Sequence, residues 1–274
     1  MCDLDGCGTH AHLPPIVIAP ARRREFLMGL ASLPLAAVLA DPVLAQSAAS
    51  RLSPVSIDLA GGDKAQGVLA VPAKLPAPAV LLIHEWWGLN DQIKAVANEL
   101  AEQGYLALAV DLYGGKVAKS PDEARALVTG INPEQATNQL VGLMDMLKND
   151  SRCTGKLATM GWCFGGGWSL NASLAAPVDA TIVYYGNVAK NADELASLAS
   201  PLLGHFGTLD KNINREMVEG FEKAAQEAGK SDQIEIYWYE ADHAFANPTG
   251  ARYDAEDAAL AWSRSMKFLS DNLA

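Results

Sequence analysis

The sequence predicts an α/β fold, the α/β-hydrolase arrangement of a mostly parallel central sheet with helices on both faces, and three observations carry that reading. Runs such as AVLLIH (79–84) and LALAV (106–110) are apolar throughout, as strands covered from both sides must be. Longer stretches with helical spacing of apolar residues separate them, so strands and helices alternate. Ahead of the first run, PVSIDLAGGDKAQGVLAVP holds two β-rich segments around Gly61-Gly62-Asp63, the pattern of an antiparallel hairpin.

After the hairpin, the strand at 79–84 is followed by a helical pattern over 92–103 that Gly104 closes, and then by the strand at 106–110. PDEARALV (121–128) reads as part of a helix. Further strands are expected at 157–160, 180–185, 202–206 and 234–239, with helices at about 134–149, 165–176, 213–228 and 254–272. No internal repeat interrupts this order. With half of its 274 residues hydrophobic and 19% charged, the chain suits one soluble core at residues 54–274.

The first 45 residues read differently. RRREFLMGLASLPLAAVLA sets Arg22, Arg23 and Arg24 before an apolar stretch, and Val43-Leu44-Ala45 offers small residues for cleavage before Gln46. Pro34 interrupts the stretch and Asp41-Pro42 ends it, short of the roughly 20 residues that a membrane span requires. Arg23-Arg24-Glu25-Phe26-Leu27 resembles a twin-arginine signal, so residues 1–45 are expected to direct export to a bacterial periplasm or beyond, with a linker at 46–53. Cys2, Cys7, His10 and His12 lack paired metal-ligand spacing and precede that signal. A formal net charge of −11 repels phosphate backbones and argues against a nucleic-acid partner. The expected protein is a monomer that needs no membrane once the signal is gone.

Beyond the signal stand only Cys153 and Cys163, with a predicted strand between them. At about 3.3 Å per residue their ends lie roughly 20 Å apart, well beyond the ~7 Å that a disulfide tolerates. Cys163 is therefore expected to be a free thiol.

In sheets of this kind the working residues collect where strands end. His84-Glu85-Trp86-Trp87 follows the third strand, Cys163 the fifth, Asp210 the seventh and His243 the eighth. Their order is nucleophile, acid, histidine. Gly161 and Gly165 flank Cys163 in GWCFGGG because the sharp turn of a nucleophile elbow leaves no room for neighbouring side chains. The following helix would aim its free amides at the thiol, lowering its pKa and donating to an oxyanion. The amide of Phe164 is one expected donor and that of Trp86 the other. Asp242 and Asp111 compete with Asp210 for the acid role, but Asp242 adjoins His243 and Asp111 follows the fourth strand. His205, inside a strand, reads as a core residue.

HEWWGLN, DLYGG, GWCFGGG, GTLD and DHAFANP together resemble the dienelactone hydrolase family, the carboxymethylenebutenolidases, over residues 54–272. The resemblance implies a Cys163–Asp210–His243 triad, Glu85 near the resting thiol, and hydrolysis of dienelactone to maleylacetate without metal or organic cofactor. It also implies basic side chains for the substrate carboxylate, one of them in the loop after the histidine. Here that loop carries neutral Asn247, which leaves Arg125 and Arg252 as candidate anchors. Trp86, Trp87 and Phe245 are expected to line the pocket, and Asn247, with Arg125, to contact the substrate.

A thiol nucleophile constrains the substrate. With a thiol pKa of about 8.5, sulfur leaves a tetrahedral intermediate more readily than a simple alkoxide does. Alkyl esters then revert, whereas enol lactones and thioesters expel better leaving groups and go forward. The expected partner is thus a small activated ester or lactone. A thioesterase or acyltransferase would use the same triad, and a thiol redox sensor is a third reading that lacks the expected C-x-x-C spacing.

Overall fold

The computed structural model describes residues 41–274. Its elements run α1 (Pro42–Ala49), β1 (Ser53–Asp58), β2 (Lys64–Ala70), β3 (Ala77–Ile83), α2 (Asp91–Glu102), β4 (Leu106–Asp111), α3 (Pro121–Thr129), α4 (Pro133–Asn149), β5 (Cys153–Trp162), α5 (Phe164–Ala175), β6 (Ala180–Tyr184), α6 (Ala192–Leu195), β7 (Leu202–Gly207), α7 (Arg215–Glu227), β8 (Ile234–Tyr239) and α8 (Ala255–Leu273). The eight strands form one sheet in the order β1-β2-β4-β3-β5-β6-β7-β8. The β1–β2 and β2–β4 pairs are antiparallel, and every other pair is parallel.

Alternation along β3 shows how the sheet is covered. Val80 and Leu82 belong to a cluster shared with α1, α2 and α8, while Ala79, Leu81 and Ile83 pack with α4 and α5 on the other face. All five are fully buried, which is why this strand reads as a continuous apolar run. A third cluster joins α5 and α7 around Val183 and Phe206.

Strand order also places the site. From β3 the chain passes to β4 on one side, crosses back through α3 and α4 to β5 on the other, and continues outward to β6. Loops leaving β3 and β5 therefore diverge and open a crevice at the strand ends, the switch point at which doubly wound sheets bind ligands.

Every expected strand is present, and β5 is longer than read, beginning at Cys153. The linker expected at 46–53 needs correction. Residues 42–49 form α1, with Leu44, Ala45 and Ala48 buried against α2 and the sheet. The reason is local: the Asp41 carboxylate accepts from the amides of Val43 and Leu44, Pro42 opens the helix, and the i, i+1, i+4 spacing gives one apolar stripe. Gln46 to Ala49 complete this helix, and Ser53 already belongs to β1. Arg22 to Arg24, the rest of the expected signal to residue 40, and Cys2, Cys7, His10 and His12 lie outside the described residues. Among the described residues no helix is long and apolar enough to cross a membrane, and no cluster of His, Cys, Asp and Glu could hold a metal ion.

Candidate active site

Cys163 sits between the end of β5 and the first turn of α5 with φ 54° and ψ −115°, in the left-handed half of backbone space that side chains avoid. Packing holds it there. A methyl group at Gly161 would strike the carbonyl of Gly165, and one at Gly165 would strike the carbonyls of Ile83 and His84. Only glycine at both positions lets α5 start this close to β3. The Cys163 amide donates to the Tyr184 carbonyl (2.9 Å), so the turn is also tied to β6.

His243, 2% exposed, reaches this thiol from the loop after β8. Its Nε2 lies 3.1 Å from Cys163 Sγ and its Nδ1 2.6 Å from Asp210 Oδ2. A carboxylate against Nδ1 places a proton there, so the Nε2 lone pair faces the thiol. Asp210, 4% exposed, follows β7 and accepts through Oδ1 from the amides of Asn212 (2.8 Å) and Ile213 (3.0 Å). Burial pushes its pKa up, but the His243 hydrogen bond and charge, with those two amides, hold it below the ordinary carboxylate range. The rival acids are occupied elsewhere. Asp242 accepts from the backbone amide of His243, and Asp111 accepts from the amides of Tyr113 and Gly115.

Cys163, Tyr185 and Ala244 are the non-glycine residues with positive φ among the described residues, and all three adjoin this arrangement. Tyr185 packs edge-on against the His243 ring at 5.3 Å, and Ala244 follows that histidine. Backbone strain is thus concentrated where Asp210, His243 and Cys163 meet.

At the end of β3, Glu85 is 7% exposed and its Oε2 accepts from the Asn247 amide at 2.7 Å. Trp86 packs with Ala118 and Ala124, and Trp87, Cys163 and Phe164 pack against that group. Its ring stands 5.0 Å from Trp87, edge to face. The amides of Phe164 and Trp86 meet no protein acceptor among the described residues. Tyr113, which sequence reasoning did not single out, packs 5.7 Å from Phe164, and burial followed by the charge of Cys163 raises its phenol pKa.

Three expected substrate contacts are placed otherwise. Phe245 is fully buried as a wedge between Tyr185 and Tyr239, at 5.3 and 4.9 Å, so it is core under the loop and does not line a pocket. Asn247 gives its amino group to Glu85 and its carbonyl to Thr249, which leaves it as support for Glu85. Arg125 pairs with Asp122 one turn away on the exposed side of α3. Arg252 keeps Nε and Nη2 shielded from solvent with no acceptor among the described residues.

The other two histidines among the described residues are neutral. His205 spans Tyr239 Oη (2.8 Å) and Ser265 Oγ (3.0 Å) inside the core, and burial, with the charge of Arg264, lowers its pKa to about 3. His84 is brought down to about 4 by burial, against the opposing pull of the Glu85 carbonyl and the Asp111 charge.

A family model described as the dienelactone hydrolase family matches residues 65–273. A Saccharolobus solfataricus relative is 30% identical over 247 residues, which cover 76% of this chain and 94% of the relative. The carboxymethylenebutenolidase of Pseudomonas putida is 28% identical over 231 residues, covering 79% and 95%. The crystal structure of a dienelactone hydrolase-like promiscuous phosphotriesterase from metagenomic libraries superposes with a TM-score of 0.72 over 82% of this chain and 100% of the other, at 22% identity, a likeness of fold.

The buried histidines set an acid limit on stability. In the unfolded chain each takes up a proton near pH 6.5, whereas the folded protein refuses it until about 4 at His84 and about 3 at His205. The unfolded state therefore binds more protons in this window, and stability falls as pH falls, by about 2 kcal/mol per histidine between pH 6.5 and 5. Depression of the Asp210 pKa adds its own loss only at lower pH, as the medium approaches its folded value. Urea midpoints at pH 7 and pH 5 should show the drop, reduced by about half in His205→Gln; equal midpoints would contradict it.

Proposed function

The chain belongs to the dienelactone hydrolase family and is a hydrolase of ester or lactone bonds; we propose that it cleaves activated esters, enol lactones among them, through Cys163, His243 and Asp210 by way of an acyl-thioenzyme. One observation carries the proposal: an unbroken chain from Asp210 Oδ2 through both nitrogens of His243 to Cys163 Sγ, at 2.6 and 3.1 Å.

In this reading His243 Nε2 takes the thiol proton as sulfur attacks the substrate carbonyl, and Asp210 stabilises the imidazolium that forms. The amides of Phe164 and Trp86 hold the oxyanion. Collapse of the tetrahedral intermediate breaks the bond to the leaving oxygen, which receives the proton from His243 and leaves an acyl thioester on Cys163. Water then gives a proton to His243 and attacks the thioester, and the acid product departs as the proton returns to sulfur. A thiolate is itself a good leaving group, so the forward path requires a substrate whose departing group competes with sulfur. Enolates and thiolates do; simple alkoxides do not. Trp87, half-buried beside Trp86, is the aromatic residue best placed to meet the acyl part.

Glu85 modulates the thiol in this proposal. A buried carboxylate beside the nucleophile disfavours the thiolate, and a protonated thiol resists oxidation until substrate arrives. That protection suits an exported enzyme, and export is proposed on Arg23-Arg24-Glu25-Phe26-Leu27 alone, with α1 retained in the mature chain. A thioesterase or acyltransferase would use the same groups and differ in which nucleophile takes the acyl unit.

An assay of p-nitrophenyl esters, enol lactones, thioesters and alkyl esters should show turnover of the first three and little of the last. Cys163→Ala should remove it, and Asp210→Asn should lower kcat by about 10³- to 10⁴-fold; alkyl-ester activity that persists in Cys163→Ala would exclude the proposed nucleophile. With hydrogen peroxide, Glu85→Gln should inactivate several-fold faster than wild type, and equal rates would remove the protective role. In cell fractions the full chain should reach the periplasm, and a version with Arg23→Lys and Arg24→Lys should stay behind; equal export of both would reject the twin-arginine route.

A further inference from the structure

Outside the triad, one fully buried titratable side chain touches the reacting region from behind. His84 ends β3, is 0% exposed, and contributes to none of the steps above. Its bonding fixes its tautomer. The Leu112 amide donates to Nε2 at 3.3 Å, so that nitrogen is an acceptor and the ring proton resides on Nδ1. Nδ1–H in turn donates to the carbonyl oxygen of Glu85, which also accepts from the Gly88 amide at 3.2 Å.

That carbonyl belongs to the same peptide unit as the Trp86 amide. A peptide is planar and trans, so its C=O and N–H point in opposite directions, and holding one aims the other. With the carbonyl held toward His84 and Gly88, the Trp86 N–H is turned away from them, and Cys163 and Phe164 pack against Trp86. We propose that His84 is a positioning residue of the oxyanion site, its neutral imidazole clamping the Glu85–Trp86 peptide so that the Trp86 N–H meets the oxyanion formed at Cys163. This inference rests on the acyl-thioenzyme reading given above and names what sets its second donor.

The ring is itself held on both sides. It lies 4.7 Å from Tyr113, tilted by 57°, and 5.9 Å from Phe164, nearly parallel at 17°. Phe164 supplies the first oxyanion amide, so one imidazole packs on the residue that bears one donor and holds the peptide that bears the other. The glycine-permitted approach of Gly165 to the carbonyls of Ile83 and His84 sets how far apart those donors stand. Protonation at Nε2 would place an N–H against the Leu112 amide, and burial prevents this by keeping the ring neutral down to about pH 4. Gly88 completes the clamp with φ 95° at a place where a Cβ would meet the Lys116 carbonyl.

The two ring nitrogens can be separated by substitution. An asparagine amide occupies the place of Nδ1 and can donate to the Glu85 carbonyl, whereas glutamine reaches the place of Nε2 and serves Leu112. Measured on the full-length protein with a p-nitrophenyl ester, His84→Gln should lower kcat and the acylation burst by about 10- to 100-fold, somewhat less than outright loss of an oxyanion donor. KM should change little. His84→Asn should recover most of that loss. Alkylation of Cys163 by iodoacetamide, which forms no oxyanion, should proceed at the wild-type rate in both, and nitrogen-15 NMR of wild-type protein should find the His84 proton on Nδ1. Equal kcat losses in the two variants, a loss carried by KM, slowed alkylation parallel to the kcat loss, or a proton on Nε2 would overturn the clamp. If wild type itself lacks esterase activity, the hydrolase mechanism falls and the clamp with it; wild-type activity that Cys163→Ala abolishes, alongside undiminished His84→Gln, removes the clamp alone.

Discussion

The site depends on a close approach of two backbones. Helix α5 begins against the end of β3, near enough that a single methyl at Gly161 or Gly165 would collide with a carbonyl. This contact forces Cys163 to φ 54° and brings the first amides of α5 beside the turn after β3, with the sulfur 3.1 Å from His243 Nε2. A left-handed non-glycine residue costs of order 1–3 kcal/mol. The sheet offsets that cost, since β5 is hydrogen-bonded between β3 and β6 and its neighbours are fully buried. Loosening the contact would release the strain and move the sulfur off line.

Charge is managed by the same economy of space. His243 and Asp210 are almost wholly buried, a placement that penalises ionised groups unless hydrogen bonds replace water. Asp210 has three such bonds, two from backbone amides and one from His243. The amides come from the turn that leads into α7, so the acid is oriented by backbone geometry and not by flexible side chains. That rigidity holds the imidazole in one tautomer, with its other nitrogen toward sulfur. His205, also buried, satisfies both nitrogens with hydroxyl groups of the core, which is why its position in mid-strand correctly marked it as structural.

Much of this was legible in the sequence because the signals were local or positional. Apolar runs mark fully buried strands, and strand ends mark the crevice, so Cys163, Asp210 and His243 could be placed by order alone. Gly161 and Gly165 were readable for the same reason that they are required. What could not be read depends on side-chain direction in loops. Phe245 follows the histidine closely and looks like pocket lining, but the positive φ of Ala244 sends it inward against Tyr185 and Tyr239. Arg125 lies on the turn after Ala124, which packs near Trp86, yet a helix turns 100° per residue and presents the arginine to Asp122. Helix α1 was hidden by its resemblance to the tail of an export leader, since Leu44 and Ala45 suit either role; Asp41-Pro42 was its cap and first turn.

Asn247 shows how a departure from the family pattern acquires a structural meaning. A basic residue in the loop after the histidine would serve a substrate carboxylate, and a neutral amide there looks in the sequence like a lost anchor. In the fold its amino group bonds Glu85 and its carbonyl bonds the amide and hydroxyl of Thr249. The loop that carries His243 is thereby fastened to the turn that carries Glu85 and Trp86. Donor and acceptor are both used, so the side chain holds the two segments together, and it donates to the carboxylate without neutralising its charge. A longer cation at this position could meet Glu85 only by cancelling that charge. A neutral amide here therefore ties the two segments together and leaves Glu85 its charge, which a basic residue would not.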